Sequence, residues 1–173
     1  MLTAIVLSLA ACCGPEQAAA PTAPVVAALQ RTVRCDELIE ETRFPYVGRA
    51  PYRLRLVLGT ASVPGPFLPQ VSDTGPPRWR YFAKWGFVVR VGAGPALTIT
   101  VPKEWRKRVG ISWGNGGHGV FQHIRFPRCG TDVSRGNAYA GGFFLQAATD
   151  CVPLRYAVGG RSRTVWFGVG RRC

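Results

Sequence analysis

The C-terminal stretch, residues 138–173, constrains the fold most. It holds three apolar runs, 141–147 (GGFFLQA), 152–158 (VPLRYAV) and 162–169 (SRTVWFGV), with Gly159-Gly160-Arg161 between the last two. Runs of this length, rich in Val, Phe, Tyr and Trp and bounded by glycine, are strands. A Gly-Gly pair supplies the positive φ of a tight hairpin, so the last two runs are expected to pair antiparallel. Upstream, residues 52–59 (YRLRLVLG) alternate, with Tyr52, Leu54, Leu56 and Leu58 on one face and Arg53, Arg55 and Val57 on the other, predicting a half-buried strand with its leucines inward. Further strands are expected at 86–91, 96–101, 109–113 and 120–126. The last two flank Gly114-Asn115-Gly116-Gly117-His118-Gly119, a hairpin signal. The proline-rich stretch 63–77 reads as a long loop without a strand, and 102–108 (PKEWRKR) as a turn or short helical piece.

About eight short strands with closely spaced turns predict an all-β fold: an antiparallel two-sheet β-sandwich, of which an immunoglobulin-like form is one variant, with a barrel as the alternative. The chain has 173 residues, with 21 Gly and 14 Pro and no fixed period, which suits one such domain and no long helix.

The start of the chain reads differently. Residues 1–11 are almost wholly apolar and end in small residues ahead of a cysteine, Leu9-Ala10-Ala11-Cys12. This resembles the bacterial lipobox. The resemblance implies removal of residues 1–11 as a lipoprotein signal peptide, acylation of Cys12 as the mature N-terminus, and export to a membrane-anchored, extracytoplasmic location; plain secretion is the alternative. Eleven apolar residues are too few to span a bilayer. Residues 12–30, rich in Ala and Pro, then read as a tether, leaving 31–173 as a single domain.

In an oxidising compartment the domain cysteines are expected to form disulfides. Cys35, Cys129, Cys151 and Cys173 can pair in three ways. Cys129 follows one predicted strand and Cys151 shortly precedes another, so Cys129–Cys151 is the expected bridge, leaving Cys35–Cys173 to tie the end of the domain to its start; Cys13 is left over. The absence of a Cys-x-x-Cys pair argues against zinc, and no other motif for a metal or cofactor is present.

The formal charge of +13 is unevenly placed: from Arg43 onward, 20 Lys or Arg face four acids, Asp73, Glu104, Asp132 and Asp150. Such a field attracts polyanions and anionic surfaces. Four of the remaining acids, Asp36, Glu37, Glu40 and Glu41, cluster beside Cys35 as a helical turn or edge strand, and read as a compensating acidic face. Two stretches combine cations with aromatics. Arg78, Arg80 and Lys84 interleave with Trp79, Tyr81 and Trp85, the pattern of a stacking platform for nucleic acid, or equally of core aromatics with solvated cations between them. Lys103, Arg106, Lys107 and Arg108 surround Trp105, a cluster suited to lipid headgroups or an anionic wall polymer.

Catalytic constellations are hard to assemble. The glycine-rich loop 114–119 lacks the Lys-Ser/Thr that a phosphate cradle needs. His118 and His123 are the only histidines, and a hydrolase would require one of them beside Asp132 or Glu104. The segments Asn137-Ala138-Tyr139-Ala140-Gly141-Gly142-Phe143-Phe144, Cys151-Val152-Pro153-Leu154 and Phe167-Gly168-Val169-Gly170-Arg171-Arg172-Cys173 resemble exported actinobacterial domains without assigned activity, which implies an extracytoplasmic β-domain and assigns no residue a role. The functional expectation is a tethered, monomeric, non-enzymatic lipoprotein whose basic face engages an anionic envelope component or a partner protein. The alternatives are a secreted domain binding nucleic acid or polysaccharide, and a hydrolase.

Overall fold

A computed structural model describes residues 30–48, 53–115 and 119–173. Cys12, Cys13, the signal segment, nearly all of the tether and His118 lie outside the described residues. The expected hairpin is present: β13 (Asp150–Val158) pairs with β14 (Arg161–Val169) along its full length, from Asp150↔Val169 to Val158↔Arg161. Gly159 and Gly160 make the turn at φ 53° and 79°, a conformation open to glycine at no steric cost. Strand alternation then sends Val152, Leu154, Tyr156, Val165 and Phe167 into the core and leaves Arg155, Thr164 and Trp166 outside.

This hairpin anchors a six-stranded sheet, in order β1 (Gln30–Thr32), β10 (His123–Phe126), β8 (Leu97–Thr100), β13, β14 and β5 (Phe67–Leu68). Facing it is a sheet of β2 (Glu40–Arg43), β11 (Arg135–Tyr139), β7 (Phe87–Arg90), β4 (Ala61–Pro64) and β3 (Leu54–Val57). A three-stranded ladder of β6 (Tyr81–Lys84), β12 (Gly141–Leu145) and β9 (Val109–Trp113) prolongs this second sheet. Tyr81↔Leu145 and Gly136↔Arg90 belong to one unbroken register, bridged where the Trp85 N–H donates to the Gly141 carbonyl. The architecture is thus a sandwich of two main sheets, with no closed barrel. Between them, Trp85 and Phe143 meet Phe167 at 4.9 and 5.5 Å between ring centroids, while Phe87 and Tyr139 meet Phe126 at 5.0 and 5.2 Å.

The structure corrects several expectations. The alternating stretch around β3 sits the other way round: Leu56 is 48% exposed and Val57 is buried. β3 is an edge strand, and Arg55 turns inward across the open side of the sandwich, its guanidinium 4.9 Å from the Phe167 ring centroid and its Nη2 donating to the Trp166 carbonyl at 2.8 Å. The aliphatic stem of arginine tolerates such burial. Desolvation lowers the Arg55 pKa and raises that of the fully buried Tyr156 nearby. Residues 63–77 contain the end of β4, all of β5 and a Ser72↔Phe82 bridge. The strands β9 and β10 do not form a hairpin. They lie in different sheets, and Ile111 of β9 bridges instead to Phe121, ahead of β10, while β9 pairs along its length with β12. The sheets are not wholly antiparallel, since β1–β10 and β14–β5 are parallel edge pairs. β1 starts at Gln30, the last residue assigned to the tether, and β11 was not expected at all.

The disulfide pairing also differs. The bonds are Cys35–Cys129 and Cys151–Cys173, each with a Cα separation of 5.6 Å, in place of Cys129–Cys151 and Cys35–Cys173. The reason is the parallel alignment of β1 and β10, which brings both chains out at the same end. Cys35 and Cys129 each lie three residues beyond the strand they follow, and so they meet. Cys151 sits near the start of the β13–β14 ladder, where the chain leaving β14 turns back at Gly170 and delivers Cys173. The acidic cluster forms both structures considered for it, a 3-10 turn at Cys35–Glu37 and the edge strand β2, and two of its four carboxylates are held close by arginines, Glu37 by Arg31 at 2.7 Å and Asp36 by Arg34 at 2.6 Å.

Candidate functional site

The two cationic-aromatic stretches have different fates. In the first, Trp79 and Trp85 are 7% and 5% exposed, and Trp85 packs edge-on against Phe143 and Phe167. Tyr81 is half-buried, Arg80 pairs with Asp73 at 2.9 Å, and Arg78 and Lys84 are exposed. The alternation is that of strand β6 entering the core. The indole faces are occupied, so this stretch offers no platform for bases.

In the second, a 3-10 turn at Lys103–Trp105 follows β8, and Lys103, Arg106, Lys107 and Arg108 are all exposed. The turn folds back over the outer face of the six-stranded sheet. There Trp105 meets Trp166 of β14 edge-on, with centroids 5.8 Å apart, and the Arg108 guanidinium lies 4.0 Å from the centre of the Trp105 ring. Trp166 is 50% exposed, the only tryptophan among the exposed large apolar side chains of the described residues. Between turn and sheet lies a groove of about 400 Å³, floored by Thr100, Pro153, Arg155, Thr164 and Trp166 and walled by residues 102–106. Among the described residues, Glu104 is the one carboxylate that lines it.

Register explains the floor. Outward positions His123, Thr100, Arg155 and Thr164 lie opposite one another across β10, β8, β13 and β14, while Pro153 lies opposite Trp166. His123 Nδ1 is 3.0 Å from Thr100 Oγ1. Desolvation and then the charge of Arg106 lower the His123 pKa, which favours the neutral imidazole. No carboxylate among the described residues hydrogen-bonds to His123. Asp132 instead accepts from Ser134 N and Ser134 Oγ at 2.9 and 2.6 Å within its own loop. No group of three or more His, Cys, Asp or Glu suited to a metal occurs among the described residues.

No family model, curated protein or solved structure matches the chain. The groove must therefore be read from its own chemistry. It combines two indoles, two threonine hydroxyls and an excess of guanidinium and ammonium groups. Indole faces suit the C–H faces of sugars, hydroxyls suit their oxygens, and cations suit carboxylate or phosphate substituents. Arg155 and Trp166 were not singled out in the sequence, although the signal was there: with Val165 and Phe167 both inward, Trp166 between them has to face out.

Proposed function

We propose that this protein is an exported, membrane-tethered domain that binds an anionic glycan of the cell envelope through the Trp105–Trp166 groove. The observation that carries the reading is the exposed Trp166 paired with Trp105 beneath a cationic turn, on a sheet face that also presents Thr100, Thr164 and Arg155. The two disulfides agree with folding in an oxidising, extracytoplasmic environment. Acylation at Cys12 supplies the anchor, and residues 12–29 the reach away from the membrane.

Calorimetric titration with polygalacturonate against uncharged dextran tests the ligand class. Saturable binding of the acidic polymer alone is expected, weakening as ionic strength rises because the cations are exposed. Equal binding of dextran, or of neither polymer, would count against the reading. The anchor is tested by intact mass of the protein recovered from the native membrane fraction: a chain beginning at Cys12 and carrying acyl groups is expected, and a soluble, unacylated chain would contradict it.

A further inference from the structure

A second site lies at the far end of the hairpin. The two sites share no lining residue, and the nearest groove residue on β13, Arg155, is four residues from Gly159, on the order of 13 Å at strand rise, so this site is separate from the groove and independent of how the groove is read. A cavity of about 430 Å³ opens there, lined by the β3–β4 turn, the β13–β14 turn and the guanidinium-bearing residues Arg90, Arg128 and Arg161. No carboxylate among the described residues lines it. None of the three arginines takes part in an ion pair among the described residues. They come from β7, the β10–β11 connection and the start of β14, so both sheets contribute.

Each arginine is held by backbone oxygens rather than by an acid. Arg128 donates from Nε to the Arg90 carbonyl at 3.2 Å and from Nη2 to the Val91 carbonyl at 3.0 Å. Arg90 donates from Nε to the Val133 carbonyl at 3.2 Å, and Arg161 from Nη2 to the Leu58 carbonyl at 3.4 Å. Gly92 and Gly94, at φ +112° and +142°, pass over Arg128 closely; a Cβ on Gly94 would come within 2.5 Å of its Nη1. The fork of Arg128 is therefore fixed before any ligand arrives. Burial and the neighbouring charge of Arg90 lower its pKa, as expected of like charges gathered without a counter-ion.

We propose that this pocket binds a phosphate dianion, free or carried as a monoester. Three guanidiniums without a carboxylate leave a concentration of positive charge that a doubly charged tetrahedral oxyanion neutralises best, and guanidinium forks match such oxygens in bidentate fashion. The volume exceeds that of a bare phosphate and leaves room for an attached sugar-sized group.

Calorimetry with inorganic phosphate and with glucose 6-phosphate, at ionic strength held constant with chloride, tests this. Saturable one-site binding of both is expected, weakened at least tenfold in R161Q, whose exposed side chain can change without disturbing the core, and unchanged in W166A. Tighter binding of glucose 6-phosphate supports a phosphorylated ligand, and equal affinity supports free phosphate as the occupant. Absence of saturable binding, an equal response to chloride alone, or wild-type affinity in R161Q would overturn the proposal. Loss of phosphate binding in W166A would overturn its independence of the groove.

Discussion

Removing the Cys35–Cys129 bridge with the pair C35S and C129S should lower the unfolding free energy by about 4–5 kcal/mol in the chain-entropy picture, because the bridge closes a sequence separation of 94 residues. For a domain of this size that corresponds to a fall of roughly 10–20 °C in the thermal midpoint. Removing Cys151–Cys173, with a separation of 22, should cost about 3 kcal/mol. The two loops do not overlap along the chain, so the two losses should add within experimental error. Urea unfolding of the two double variants and the quadruple variant, monitored by tryptophan fluorescence, checks this ordering. A larger loss from the short loop than from the long one would contradict the pairing described above.

The second large effect is expected at Phe87. It is 3% exposed and touches three rings: Trp113 at 5.2 Å, Phe126 at 5.0 Å and Tyr139 at 6.1 Å between centroids. Phe126 belongs to one sheet and Tyr139 to the other, so Phe87 joins the layers. Deleting its ring removes buried apolar area and leaves a cavity whose walls are themselves large rings anchored in strands, with little freedom to collapse. Phe87→Ala should therefore cost about 3–5 kcal/mol. Leu56→Ala, on the same sheet but 48% exposed, should fall within about 0.5 kcal/mol of the wild type. Comparable losses at both positions would show that β3 has the register that its leucine alternation suggests rather than the one observed.

The β13–β14 hairpin was legible from the residues alone because both of its determinants are local: strand-forming runs, and two glycines at the turn. The orientation of β3 was not, because it depends on a distant partner. Arg55 finds the Phe167 ring and the Trp166 carbonyl across the sandwich, and Leu58, at φ +52°, ends the regular alternation. The parallel edges β1 and β5 span three and two residues and carry no periodicity of their own. The disulfides followed from one of those edges, so their pairing was hidden with it. In the groove, the cationic turn at 103–108 was visible as composition, and Trp166 could have been inferred from alternation. Their meeting could not, since it depends on the turn after β8 folding over β14, which is two strands away in the sheet. The cluster of Arg90, Arg128 and Arg161 is likewise a product of topology, drawn from β7, the β10–β11 connection and β14.

The claim that the outer face of the six-stranded sheet is a glycan-binding surface is tested most directly by repeating the polygalacturonate titration with Trp166→Ala. Trp166 is half-exposed, so its removal should leave folding intact, as the midpoint of thermal unfolding will report. The account predicts at least a tenfold loss of affinity for the acidic polymer, with Arg78→Gln binding as the wild type does. Undiminished binding by the Trp166 variant, or a loss caused instead by Arg78→Gln, would contradict it and move the surface to the other sheet.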